Sequence, residues 1–263
     1  MKIIVENCSS PGASFTNNTN AVIVKIYEWI QENNEPTLSF IDFRRRLESE
    51  KGINDNNARN IYPLLKNCNF VNYEGGAELN TKFFFTKLGL AYVKALMTIN
   101  AIDDADYEKK QKEIALKKFD AIMKKVVYDG VKNLMKTSDS NYTKSIKWYL
   151  DFLLRFRKIN KYEFAYLINK KNSVGEDCFD DMTETINDYR LNKTEIEVQV
   201  KVRNDIKIKE RTGEESRLED IGFLTSYSFY TGLLSQAGLV IKEGKYYKLI
   251  PSQEENVKAI LEV

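Results

Sequence analysis

Between Asn54 and Leu96 the chain starts with a helix-like polar stretch, Asn54-Asp55-Asn56-Asn57-Ala58-Arg59-Asn60, and runs into the apolar Ile61, Leu64 and Leu65. There follow Asn69-Phe70-Val71-Asn72-Tyr73, the turn Glu74-Gly75-Gly76-Ala77-Glu78, a second extended run Lys82-Phe83-Phe84-Phe85 and a helical Leu88 to Leu96. Helix, strand, glycine turn, strand and helix in so short a span is the order of a winged helix-turn-helix, an architecture that lays one helix in the DNA major groove. This segment limits the fold more than any other and makes the chain a candidate DNA reader.

The surrounding sequence extends the pattern. Residues 1–19, with Ser9-Ser10-Pro11-Gly12 and Asn17-Asn18-Thr19, read as a polar arm. Val22, Ile23, Ile26, Tyr27 and Ile30 are spaced as a helix that closes near Asn33-Asn34 and Pro36, and Ile41 to Glu48 forms a second helix that ends at Gly52. With the Asn54 helix and a Phe70–Phe85 hairpin these make a first winged helix, residues 1–100. A helical linker, residues 101–142, carries the apolar stripe Ile114, Phe119, Ile122, Met123, Val126 and Leu134, interrupted at Gly130. Eleven lysines face five acidic residues between Glu108 and Lys147, either a solvated face or a phosphate-tracking surface.

Residues 143–212 read as a second, helical or winged-helix-like subdomain, with helices at Ile146–Phe156, Asn160–Ile168 and Phe179–Tyr189. The last of these, flanked by Glu176 and Asp177, carries Asp180, Asp181, Glu184 and Asp188, so phosphates would repel it. Residues 213–263 form a third winged helix. Its helix runs from Ile221 to Gln236 and stops at Gly238, and a Leu239–Ile250 hairpin turns at Glu243-Gly244 before a terminal helix. The expected fold is therefore mainly α, in the α+β sense: tandem winged helix-turn-helix subdomains joined by a long amphipathic helix.

Bulk properties narrow the chemistry. Net charge is only +2 over 263 residues, so any DNA affinity must come from local clustering. Histidine is absent, which removes the commonest general base and zinc ligand. Cys8, Cys68 and Cys178 have no paired spacing and fit a reducing cytoplasm. The first residues are too short and too soon polar for a signal peptide, and no apolar run reaches membrane-spanning length. A cytoplasmic protein with no membrane partner is expected.

Base readout needs amides and guanidinium groups on a groove-facing helix, because Asn pairs with adenine edges and Arg with guanine edges. Asn56, Asn57, Arg59 and Asn60 supply those groups. The alternative is that clustered asparagines merely cap a helix and fill a turn. Arg44-Arg45-Arg46 stands on the preceding helix, which crosses the phosphate backbone in this fold. Three consecutive residues spread over about 200° of a helix, so at most two, Arg44 and Arg45, face the DNA, and the third packs or pairs with Glu48 or Glu50. Lys82 on the wing is a further phosphate contact. Thr194–Val202 alternates as a half-buried strand with Glu197, Gln199 and Lys201 on one face; with Asp188 or Asp181 it is the best candidate for a nuclease metal site, the alternative being a plain amphipathic strand or a charged connection. The expectation is no catalytic and no metal-binding residue in this chain.

Three segments together resemble the recognition region of AlwI-like type IIS restriction and nicking endonucleases. The first runs from Asn69-Phe70-Val71 through Thr86-Lys87-Leu88-Gly89, a wing followed by a T-x-x-G helix start. The second joins Ser145–Leu154 to Ile159-Asn160-Lys161-Tyr162-Glu163-Phe164 and leads to the Arg190-bearing helix. The third is Ala237-Gly238-Leu239-Val240 through Leu249-Ile250-Pro251, preceded by Tyr227-Ser228-Phe229-Tyr230. The resemblance implies an asymmetric double-stranded DNA site read by tandem winged helices, with Mg2+-dependent cleavage by a separate nuclease domain or subunit. The sequence ends at Val263, about where that nuclease domain would begin, so the resemblance implies a recognition fragment or a free-standing specificity subunit. The alternative is a tandem winged-helix transcription regulator or plasmid replication initiator, which would bind symmetric or repeated sites.

Overall fold

Five helices begin where a short polar side chain turns its oxygen onto the backbone just ahead. Thr16, Ser39, Asn54, Thr86 and Asn160 each accept a hydrogen bond from a backbone N–H two or three residues on, satisfying donors that the first helical turn leaves unpaired. The structure, a computed structural model, describes residues 1–6, 13–33, 35–72, 78–106, 108–136, 141–175, 178–201, 218–220 and 224–263.

Within them the protein is mainly helical. The helices are α1 (Asn17–Glu32), α2 (Phe40–Lys51), α3 (Asp55–Asn67), α4 (Lys87–Asp104) and α5 (Lys109–Lys136), then α6 (Asn141–Phe156), α7 (Lys161–Ser173), α8 (Phe179–Arg190), α9 (Thr225–Gln236) and α10 (Glu254–Leu261). The strands are β1 (Lys2–Glu6), β2 (Thr37–Leu38), β3 (Leu79–Asn80), β4 (Lys158–Ile159), β5 (Glu197–Lys201), β6 (Leu218–Asp220), β7 (Val240–Glu243) and β8 (Tyr246–Leu249). They form three small sheets, ordered β1-β5-β6, β2-β3 and β4-β8-β7. The backbone divides into two compact units: residues 11–138 with 232–239 and 262–263, and residues 1–10, 139–231 and 240–261.

In the first of these units α1, α2 and α3 enclose Ile23, Trp29, Phe43, Leu47, Leu64 and Leu65, all nearly or fully buried. β2, between α1 and α2, pairs antiparallel with β3, and Val71 bridges Phe85. Two glycines allow the helices that follow to approach Phe70. A Cβ on Gly89 of α4 would lie 2.0 Å from the Phe70 carbonyl oxygen, and one on Gly130 of α5 would lie 3.0 Å from the Phe70 ring. The break that Gly130 makes in the α5 stripe is thus a packing contact, not a weakness in the helix. Burial on α5 begins only at Val126, while Ile114 and Ile122 are about half exposed, so the amino-terminal half of the expected stripe is open to solvent.

In the other unit β4 pairs with β8, and β7 and β8 form the hairpin around Gly244. The segments that the sequence reading divides at residue 212 therefore share one sheet. α7 opens with a capping box, in which the Asn160 side chain accepts from the Tyr162 and Glu163 N–H groups while Glu163 accepts from the Asn160 N–H.

Two expectations are corrected. Lys2–Glu6 is not part of a polar arm: it is β1, which buries Ile3 and Val5 and runs parallel to β5 with Ile3 opposite Val198 and Val5 opposite Val200. Farther on, Lys82–Phe85 is not a continuous extended run. The Asn80 side-chain oxygen accepts from the Lys82 and Phe83 N–H groups and folds those residues into a turn, leaving Phe85 to meet Val71. The expected glycine turn at residues 74–77 lies outside the described residues.

Candidate nucleic-acid interface

The joint between α2 and α3 is short and fully specified by local chemistry. Gly52 takes the left-handed conformation (φ +66°) that closes α2, its N–H bonding the Glu48 carbonyl. Ile53 buries its side chain, and Asn54 caps α3. Across the joint Arg44 Nη1 lies 2.7 Å from the Asp55 carboxylate, and the Arg44 guanidinium sits 5.2 Å from the centroid of the Phe40 ring. Phe40 in turn packs on Tyr62 of α3. Two adjacent helices are thereby held at a defined angle at the end where α3 begins.

α3 is strongly two-sided. Ala58, Ile61, Leu64 and Leu65 are buried, while Asn56, Asn57, Arg59 and Asn60 are exposed. At about 100° per residue, Arg59, Asn56 and Asn60 fall within an arc of about 100° opposite the buried stripe, and Asn57, exposed in the first turn, stands about 60° outside it, in line with the apolar side. Only Asn54 is spent on capping, so the four present their amide and guanidinium groups toward solvent. Pro63, inside α3, lacks an N–H and leaves the Arg59 carbonyl without its i+4 donor, adding an acceptor near the same face.

The three arginines of α2 have three different fates. The Arg44 side chain is only 16% exposed and is committed to Asp55, so its present role is to set the helix–helix angle. Arg45 is exposed and makes no ion pair among the described residues. Arg46 pairs with Glu35 at 2.8 Å and Glu50 at 2.9 Å and lies over the Trp29 ring, and hydrogen bonding to Glu50 raises its pKa further. Arg46 and the Trp29 N–H together hold the Glu50 carboxyl below the usual range. The cleft of about 300 Å³ lined by Trp29, Glu32, Asn33, Glu35, Arg46 and Glu50 is therefore acid-rimmed and unsuited to a phosphate.

Lys82 is exposed, but its turn is tied to the segment entering β2: Thr81 donates through its hydroxyl to the Glu35 carbonyl and through its N–H to the Pro36 carbonyl. The structure thus places Arg44, Arg45, Asn56, Asn57, Arg59 and Asn60 on the consecutive helices α2 and α3 and sets Lys82 on a separate turn. Beside Lys82, Phe83 is 68% exposed, a feature hidden at the sequence level because its run of three phenylalanines reads as a buried strand.

The residues weighed as a nuclease site stand in other pairings. Lys201 lies 3.6 Å from Glu6 on the neighbouring strand, and Asp188 lies 3.5 Å from Lys193. Among the described residues no three Cys, Asp or Glu side chains gather into a metal-binding group. No helix among them is long and apolar enough to cross a membrane. No protein-family model, curated protein or solved structure matches the chain.

Proposed function

We propose that the chain recognises a specific double-stranded DNA sequence, with α3 in the major groove and α2 crossing the phosphate backbone. The observation that carries this reading is the outward arc of Asn56, Arg59 and Asn60, with Asn57 exposed in the first turn, on a helix whose opposite face is buried and whose start is pinned to α2 by Arg44–Asp55. Amide and guanidinium groups on such a helix are the donors and acceptors that read adenine and guanine edges.

The order α1–β2–α2–α3–Val71–β3–α4, with β2 beside β3 and Val71 beside Phe85, supports a winged-helix reading of the first unit. In the second unit, α6–β4–α7 followed later by the β7–β8 hairpin, with β4 beside β8, supports a second copy of that plan. The modest net charge suits a protein that gains affinity from a few aligned contacts.

Together with the resemblance to AlwI-like enzymes, this makes the chain the recognition part of a type IIS-like restriction endonuclease. A separate nuclease domain or subunit supplies the Mg2+ chemistry. The donor set supports that division: Lys201 and Asp188 already serve ion pairs, and Gln199 is a poor metal ligand.

Selection of bound duplexes from a random pool, followed by incubation of the selected duplex with this chain and magnesium, tests the proposal. An asymmetric preferred site left uncut is the expected outcome. A symmetric or repeated site points to a regulator or initiator instead, and cutting by this chain alone refutes the division of labour.

A further inference from the structure

The second unit carries a cluster of lysines and tyrosines that takes no part in α3 recognition. Lys158 of β4 places its ammonium 4.5 Å from the centroid of the Tyr246 ring. Lys245, at the tip of the β7–β8 hairpin, lies 5.5 Å from the Tyr189 ring and 5.6 Å from the Tyr246 ring. Tyr162 packs against Tyr189, and the Asn160 amide donates to the Tyr189 hydroxyl. All three rings remain partly exposed.

Most carboxylates of the surrounding elements are engaged, Asp180 with Arg155 among them, while the exposed Asp181 and Glu184 of α8, more than one turn before Tyr189, make no ion pair among the described residues. Glu163 pairs with Arg190, Asp188 with Lys193, Glu243 with Lys248, and Glu254 with Arg157 and Lys258. Lys158 and Lys245 are left with aromatic faces as their close partners among the described residues, which fixes where each ammonium sits. The base beneath them is rigid, because Arg190 donates to the carbonyls of Phe156 and Lys158 at 3.0 and 2.6 Å.

We infer that Lys158 and Lys245, held over Tyr189 and Tyr246, form a preformed clamp for the phosphodiester backbone of duplex DNA, separate from the α3 reading face. The inference rests on the DNA-recognition reading above. Two ammonium groups already positioned over rings lose little side-chain freedom on meeting a phosphate. Burial pushes the Tyr189 and Tyr246 hydroxyls up from their ordinary pKa, so both stay neutral donors at physiological pH. Contacts of this type add affinity without reading sequence.

The test uses the full chain and an end-labelled duplex bearing its selected site, with affinity measured across a salt series. The pair Lys158→Gln and Lys245→Gln should lower the slope of log K against log salt by about 1.8, about 0.9 for each phosphate that is no longer neutralised. It should weaken selected and scrambled duplexes by the same factor, and Lys158→Arg with Lys245→Arg should restore the slope. Lys25→Gln on α1 serves as a single-charge control, and melting curves verify folding. An unchanged slope in a folded Gln variant of a chain that still binds duplex overturns the clamp alone, and so does a clear preference of the site for single strands. Failure of the unaltered chain to bind any duplex overturns the recognition reading and the clamp with it.

Discussion

Replacing Arg190 by Met should destabilise the second unit more than almost any other single change. Glu163 has no exposed side-chain surface, and Arg190 meets its carboxylate through Nε at 2.6 Å while its other nitrogens serve the Phe156 and Lys158 carbonyls. Methionine fills similar volume, removes the charge, and leaves the carboxylate with the Asn160 N–H as its remaining partner among these groups. Breaking a buried pair by removing one member costs about 3–5 kcal/mol, because the surviving charge stays desolvated.

The destabilisation should depend on pH, with a defined sign. Burial already raises the Glu163 pKa, with Arg190 pulling it back. Without Arg190 the folded-state value rises further above the unfolded one. Such a carboxyl favours folding while protonated, and that contribution fades as pH rises through its folded pKa. The deficit of Arg190→Met should therefore be largest at neutral pH and shrink toward about pH 5. Urea unfolding followed by the fluorescence of Trp148, which is buried in the same unit, provides the assay. Adding Glu163→Gln to Arg190→Met should recover about 1–3 kcal/mol by removing the stranded charge. A deficit below about 1 kcal/mol, or one that grows on acidification, would refute the reasoning.

Other outcomes follow from the same architecture. Gly89→Ala places a methyl 2.0 Å from the Phe70 carbonyl oxygen, so α4 must shift; thermal unfolding should show a destabilisation of about 3 kcal/mol or more. Asn160→Ala removes the capping box of α7 and should cost about 1–2 kcal/mol by chemical denaturation, with Asn160→Ser recovering most of it. Arg44→Ala, which breaks the pair with Asp55, should lower stability by about 1–2 kcal/mol. Arg45→Ala should leave stability within about 0.5 kcal/mol while reducing affinity for every duplex alike, as melting and binding titrations can separate.

The α2–α3 pair was legible because its signals are local. Ser39, Gly52 and Asn54 mark the ends of α2 and α3, and Ala58, Ile61, Leu64 and Leu65 repeat at helical spacing. Arg46 pairs with Glu50 as one helical turn predicts. β1 is not legible in the same way because its parallel partner β5 is distant in sequence, with Lys2 opposite Glu197, and no short-range pattern announces such a pairing. β4 has two residues, too few for any periodicity, although it ties α6 and α7 to the β7–β8 hairpin. Lys82 is hard to place from sequence because three phenylalanines suggest a strand, whereas the Asn80 side chain captures the backbone into a turn. The lysine–tyrosine cluster is assembled from β4, α7, α8 and β8 with the hairpin turn, so it exists only in three dimensions.

The central claim, that the outer face of α3 meets base edges, is tested most directly by repeating duplex selection with Arg59→Ala and Asn60→Ala. Each substitution should relax the preference at one or two base positions, a change worth about 1–3 kcal/mol there, and leave affinity for unrelated duplexes nearly unchanged. If both variants, folded and binding, select the same site with the same stringency as the unaltered chain, α3 is not the reading helix.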